Sequence, residues 1–155
     1  MANGFSDIST AQRNPGRLVV IPGQRLFSPV KHARFEVTLL GNEVANEWHE
    51  LCQRLTESGY QIIPEQCRIR HISGTYSLVS KLQRVNAAGT ATDITAGLTH
   101  ANGTAASSLA FAATANTEPA VLSDTDSLRI QFTTVTTTNA AAKFVVELAF
   151  RTVEA

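Results

Sequence analysis

The chain has 155 residues, 43% of them hydrophobic and 17% charged, and its 13 basic residues balance 13 acidic ones. That length fits one domain of ordinary size, able to bury a core without a metal or a disulfide. Zero net charge argues against a general polyanion binder and against a protein held to membranes by basic residues, and no window approaches the roughly 18 apolar residues of a membrane span.

Residues 1–16 are polar and contain the turn signal Asn14-Pro15-Gly16. They read as an extended N-terminal arm without a core of its own: a frayed terminus, or a segment that orders against a neighbouring subunit. Met1-Ala2-Asn3-Gly4-Phe5-Ser6-Asp7 lacks the basic-then-apolar order of a secretory leader. Residues 17–155 are expected to form a single β-sandwich domain.

Arg17-Leu18-Val19-Val20-Ile21, stopped by Pro22-Gly23, reads as a strand, as does 34–40, where Phe35, Val37 and Leu39 share one face. The spacing of Val44, Trp48, Leu51, Cys52 and Leu55 then predicts one α-helix over about 43–58. Asn42 would cap it, Glu43 and Glu47 would suit the positive end of its dipole, and Gly59 would end it. On that helix Trp48 is a core anchor rather than a ligand platform.

Beyond it the pattern is strand after strand. Cys67, Ile69 and His71 alternate with Arg68, Arg70 and Ile72; Tyr76, Leu78, Ser80 and Leu82 share a face. A turn follows at 86–90, then a strand near 93–98. Asn102-Gly103 is the strongest two-residue hairpin signal, ahead of alternating Leu109, Phe111 and Ala113. Leu128, Ile130 and Phe132, and then Phe144, Val146, Leu148 and Phe150, give the clearest alternation, joined by a loop over 136–142. The expected fold is therefore mainly β: an antiparallel β-sandwich of jelly-roll type with one inserted α-helix.

The sequence carries no GxSxG, HExxH or phosphate-binding glycine loop. A Cys67–His71 nucleophile pair is disfavoured, since positions four apart on a strand lie about 13 Å apart. Asp124 and Asp126 sit in a Ser/Asp-rich turn that side-chain capping explains more simply than calcium or glycoside hydrolysis. Arg68, Arg70, Lys81 and Arg84, with Tyr76 nearby, form the densest basic group; it reads as a solvated strand face or a protein contact rather than an RNA surface. Cys52 and Cys67 are expected as free thiols, a single disulfide being the alternative. Neither an enzyme nor any metal or cofactor is expected.

Ser80-Lys81-Leu82-Gln83-Arg84-Val85-Asn86-Ala87-Ala88-Gly89-Thr90 with Thr92-Asp93-Ile94, then Asp126-Ser127-Leu128-Arg129-Ile130, the Thr/Asn/Ala-rich loop and the strand from Phe144 to Phe150, resemble in style and strand order the jelly-roll decoration, or cement, proteins of tailed-phage capsids. The resemblance covers about residues 68–153. It implies a virion protein, made in the host cytoplasm, that binds outside an icosahedral shell as a homotrimer and staples neighbouring major capsid proteins, with no direct nucleic acid and no membrane. Expected contact residues are Arg13, Asn14, Arg17, Arg68, Arg70, Thr137, Thr138 and Asn139. The alternatives are another virion component, such as a tail or head-completion protein, or a carbohydrate-binding β-sandwich module. The last needs exposed aromatic rings, for which Trp48, Tyr60 and Tyr76 are the candidates.

Overall fold

The structure, a computed structural model, describes residues 29–53, 59–100, 108–114, 121–138 and 142–152. The expected arm over 1–16 and the strand over 17–21 lie outside the described residues. What is described is mainly β, with eleven strands in two antiparallel sheets. The larger sheet holds β1 (Lys31–Leu39), β3 (Tyr60–Ile62), β4 (Arg68–Ser73), β8 (Ser108–Ala110), β9 (Val121–Leu122) and β11 (Ala142–Thr152). The smaller holds β2 (Trp48–Cys52), β5 (Tyr76–Val85), β6 (Ala91–Asp93), β7 (Leu98–His100) and β10 (Ser127–Thr138).

Period-two burial builds both sheets, as the sequence predicts. Phe144, Val146 and Leu148 point into the core while Lys143, Val145 and Glu147 face outward. From the other sheet Leu128, Ile130, Phe132, Leu78 and Leu82 join the same buried cluster. Each such side chain contributes about 1.5–3 kcal/mol by leaving water. The Phe132 and Phe144 rings meet edge-on at 6.1 Å across the space between the sheets.

β11 is the spine of the larger sheet. β1 pairs along it from Ala142 to Phe150, while β4 takes Lys143–Glu147 and β3 takes Phe150–Thr152. Phe150 has both Lys31 and Ile62 as partners, so β1 lies on one edge of β11 and β3 on the other. Between β3 and β4 the ladder is interrupted by Pro64, which starts a 3-10 turn over Pro64–Gln66 and brings no N–H. Cys67 closes the gap. Its Sγ accepts from the Ala149 N–H at 3.3 Å and reaches the Ile63 carbonyl at 3.3 Å, while the Ile63 N–H donates to the Ala149 carbonyl at 2.9 Å.

The smaller sheet repeats the device. β5 pairs with β10 on one edge, and on the other with β6 at one end and β7 at the other. At the break, the Leu82 N–H donates to Thr95 Oγ1 at 2.9 Å, and the Ile94 N–H donates to the Leu82 carbonyl at 2.8 Å. Thr95 also bridges to Ala113, tying the margins of the two sheets together.

The inserted helix over 43–58 is not seen. Residues 44–47 make a turn, with a positive φ of 70° at Asn46, and 48–52 are strand β2; residues 54–58 are not described. The carboxylates expected at a helix start cap the turn instead. Glu43 accepts from the N–H groups of Leu40 and Gly41, and Glu47 from that of Val44. The physical reason is competition. An isolated helix of this length is marginal in water, whereas the open edge of β10 offers β2 a ladder, led in by the pair Asn46 N–H to Phe132 O at 2.6 Å and Phe132 N–H to Glu47 O at 2.8 Å.

The hairpin expected at Asn102-Gly103 lies outside the described residues; the nearest described strands on either side, β7 and β8, belong to different sheets. β10 and β11, consecutive in the chain, likewise lie in different sheets. Ala142, the first residue of β11, lies against Gly74 (φ +79°) between β4 and β5. The turn after β5 is as expected: Asn86 Oδ1 accepts from the N–H groups of Ala88 and Thr90, and Gly89 takes φ +81°. Asp126 caps its own turn, accepting from the Ser123 N–H at 2.8 Å.

Candidate functional site

The outer face of the smaller sheet carries the most built polar surface. Trp48 on β2, Arg129 and Gln131 on β10, Lys81 and Gln83 on β5 and Asp93 on β6 fall in neighbouring register positions. Arg129 holds its guanidinium carbon 4.9 Å from the centroid of the Trp48 ring and donates from Nε to Gln83 Oε1 at 2.8 Å. Gln83 Nε2 donates to Asp93 Oδ1 at 2.7 Å and to Gln131 Oε1 at 2.9 Å. Lys81 Nζ closes the network on Asp93 Oδ2 at 2.7 Å. Partial desolvation pushes the Asp93 carboxyl up, but hydrogen bonds from Lys81 and Gln83 and the charges of Lys81 and Arg129 outweigh it and hold it below its ordinary value.

The network leaves Gln83 buried on an outward face, covered by its own partners, while Trp48 stays 49% exposed. The core-anchor expectation for Trp48 is therefore overturned, for the same reason as the helix. The register shifts where consecutive Leu128 and Arg129 of β10 pair with Cys52 and Glu50, so Leu51 is the extra residue of a bulge on β2, and beyond it Trp48 stands opposite Gln131, on the outer face. His49, its neighbour, turns inward onto the Phe132 ring at 5.4 Å. The arrangement is a rigid, hydrogen-bonded platform with an indole on top; it suits binding rather than proton transfer.

The outer face of the larger sheet is a charge grid. Arg34 on β1 pairs with Glu147 on β11 at 3.0 Å, and Lys143 on β11 with Glu36 on β1 at 3.0 Å. Arg68 on β4 stands across from Glu147 but makes no ion pair among the described residues, and neither does Arg70, across from Val145. Both are exposed, next to half-exposed Ile72.

The basic group expected from the sequence is thus split. Arg68 and Arg70 are on the larger sheet, Lys81 and Arg84 on the smaller, and Arg84 is spent on the Val121 carbonyl at 3.1 Å. Tyr76 is buried and offers no platform. Of the expected contact residues, Arg13, Asn14, Arg17 and Asn139 lie outside the described residues, and Thr137 and Thr138 end β10, away from the sheet that holds Arg68 and Arg70.

The buried polar groups are structural. Ser80 and His100 share a hydrogen bond of 2.8 Å in the core, and burial pushes the imidazole down to about 4. His71 Nε2 meets the Gly74 carbonyl at 2.8 Å, and its ring lies against Tyr76. Cys52 and Cys67 are both free thiols; burial pushes each up to about 11, with Glu50 adding to the effect on Cys52. Among the described residues no three of His, Cys, Asp and Glu converge as a metal site. No known protein family, curated protein or solved structure matches the chain.

Proposed function

We propose that this chain is a structural virion protein, a jelly-roll domain that binds the outside of an icosahedral phage capsid and staples neighbouring major capsid proteins. The observation that carries the proposal is the outer face of β4. It sets two exposed arginines, without ion partners among the described residues, beside Ile72 and Val145, and arginine mixed with apolar side chains is the composition of protein-binding surfaces. The strand order agrees with a jelly-roll. β1 to β2, β2 to β3, β4 to β5, β7 to β8, β9 to β10 and β10 to β11 all pass from one sheet to the other. A domain that binds the assembled shell better than free subunits stabilises it by mass action. The test is binding to capsids stripped of the chain. Arg68→Glu with Arg70→Glu should weaken binding at least about tenfold, as loss of two interfacial arginines does, with melting unchanged. Capsid binding equal to the native chain's, or none by either protein, overturns the proposal.

One observation favours a second reading, a carbohydrate-binding module. Of the three candidate rings, Tyr60 and Tyr76 are buried, but Trp48 is exposed above the Arg129 network. A sugar ring could stack on the indole while Lys81 and Asp93, two and three strands away at roughly 5 Å per strand, meet hydroxyls of the following sugars of an oligosaccharide. A glycan array answers this: hits lost in Trp48→Ala support it, and an array without hits removes it.

A further inference from the structure

We infer that two copies of this chain pair edge to edge through β1, antiparallel and centred on Phe35, to form a two-fold dimer with a continuous larger sheet. The starting observation is an edge. β1 is nine residues long, pairs with β11 along one side, and has no described strand on its other side. Such a row of unpaired N–H and C=O groups is a template for another strand. Natural edges are protected by like charges, bulges or prolines; Lys31–Leu39 has no proline, and its ladder with β11 runs without a register shift.

The charges then choose the occupant. Arg34 and Glu36 both lie on the outer face, with side chains 70% and 55% exposed. In an antiparallel pair with i and j summing to 70, Arg34 of one copy stands opposite Glu36 of the other, twice by symmetry. The same register sets Ala33 opposite Val37 and Phe35 opposite itself on the inner face. Shifting by one step toward the N-terminus puts Arg34 against Arg34. Shifting the other way puts Glu36 against Glu36. Opposite charges directly across strands stabilise, and like charges oppose pairing, so of these three registers only the Phe35-centred one sets Arg34 against Glu36 with no like-charge pair. A one-residue slip of a single strand is excluded separately, since it would turn the inner face outward.

Two further facts agree. The existing ion pairs extend into the new one: across the joined sheet the row runs Arg68, Glu147, Arg34, then Glu36 of the second copy, alternating in sign. Phe35 and Ala33 pack on the core but are only partly buried, and the second strand would cover what remains. The contact is isologous and closes at two copies, unlike the trimer that the resemblance implies. It stands or falls without the capsid proposal.

The test is charge exchange read by sedimentation velocity on the full chain. The native chain should dimerise, and Arg34→Glu or Glu36→Arg alone should raise the dimer dissociation constant at least about tenfold. The double exchange R34E/E36R should restore dimers, because the cross-copy pairs reform with reversed sign. Glu147→Gln and Lys143→Gln remove only the intrachain pairs and should leave the dimer unchanged, with melting confirming that each variant folds. A monomer at all concentrations, a trimer, or a double exchange no better than the single variants overturns the inference.

Discussion

The Cys67 Sγ lies 3.3 Å from the Ala149 nitrogen and takes the hydrogen bond that the interrupted strand cannot supply. A thiol is thereby part of a β-ladder. Cys67→Ala leaves a buried N–H without a partner and a small void, and should cost about 2 kcal/mol. Cys67→Ser keeps a group able to accept and donate and should cost less. Urea unfolding of both variants checks the order; equal stability of the Ala variant and the native chain would refute the role.

Thr95 has the matching place in the smaller sheet, with its Oγ1 accepting from the Leu82 N–H. Thr95→Val keeps shape and removes the acceptor, so it should cost about 1–3 kcal/mol. Amide exchange at Leu82 should quicken by more than at residues of β11.

His100 predicts an acid-sensitive core. Its folded value is about 4 against an ordinary 6.5, so between those values the unfolded chain holds a proton that the folded chain does not. Stability is therefore full above about pH 6.5 and falls as pH drops toward 4, by roughly 3 kcal/mol in all. The depressed Asp93 adds a loss in the same direction at lower pH. His100→Gln, which can still meet Ser80, should flatten melting temperature against pH in that window. An unchanged slope would assign the acid loss elsewhere.

Gly74 and Gly89, two of the three described glycines at positive φ, should respond differently to alanine. A Cβ at Gly74 would sit 2.5 Å from Ala142 Cα, while one at Gly89 would meet nothing within 4 Å. Gly74→Ala should cost about 3 kcal/mol or more, and Gly89→Ala about 1–2 kcal/mol for the left-handed backbone alone. Comparable losses would mean that the corner at Gly74 yields.

Trp48 is the single tryptophan, so fluorescence reads it alone. A half-exposed indole should emit to the red and be quenched readily by acrylamide. Trp48→Ala should cost under about 1 kcal/mol, far below the 3–5 kcal/mol of a core tryptophan. A blue, shielded emission would contradict the outward face of β2.

Where a long strand buries one face, its side chains announce it: Leu128 to Phe132 and Phe144 to Phe150 alternate in sequence as they do in space. The turn at Asp126 was legible too, because its chemistry is local. β2 was not. Five apolar residues at helical spacing imitated a helix, and the bulge at Leu51 that leaves Trp48 and Glu50 outward exists only against its partner β10, about 80 positions away. Sheet membership was equally hidden, since nothing near residues 138–142 says that the chain crosses from one sheet to the other. The Trp48–Arg129–Gln83–Asp93 network could not be read because register alone assembles it. Only Arg129, the single basic residue between 86 and 142, hinted that a charge there had a task.

The pairing of β1 with β11 has a consequence for synthesis. Glu36 waits 107 positions for Lys143, so the earliest described strand leaves the ribosome long before its partner exists. A nascent chain ending short of residue 142 has no spine on which to lay β1, β3 or β4. Folding must then be late and dominated by distant contacts, which makes it slow, and the waiting β1 is a hazard for aggregation among unfinished chains.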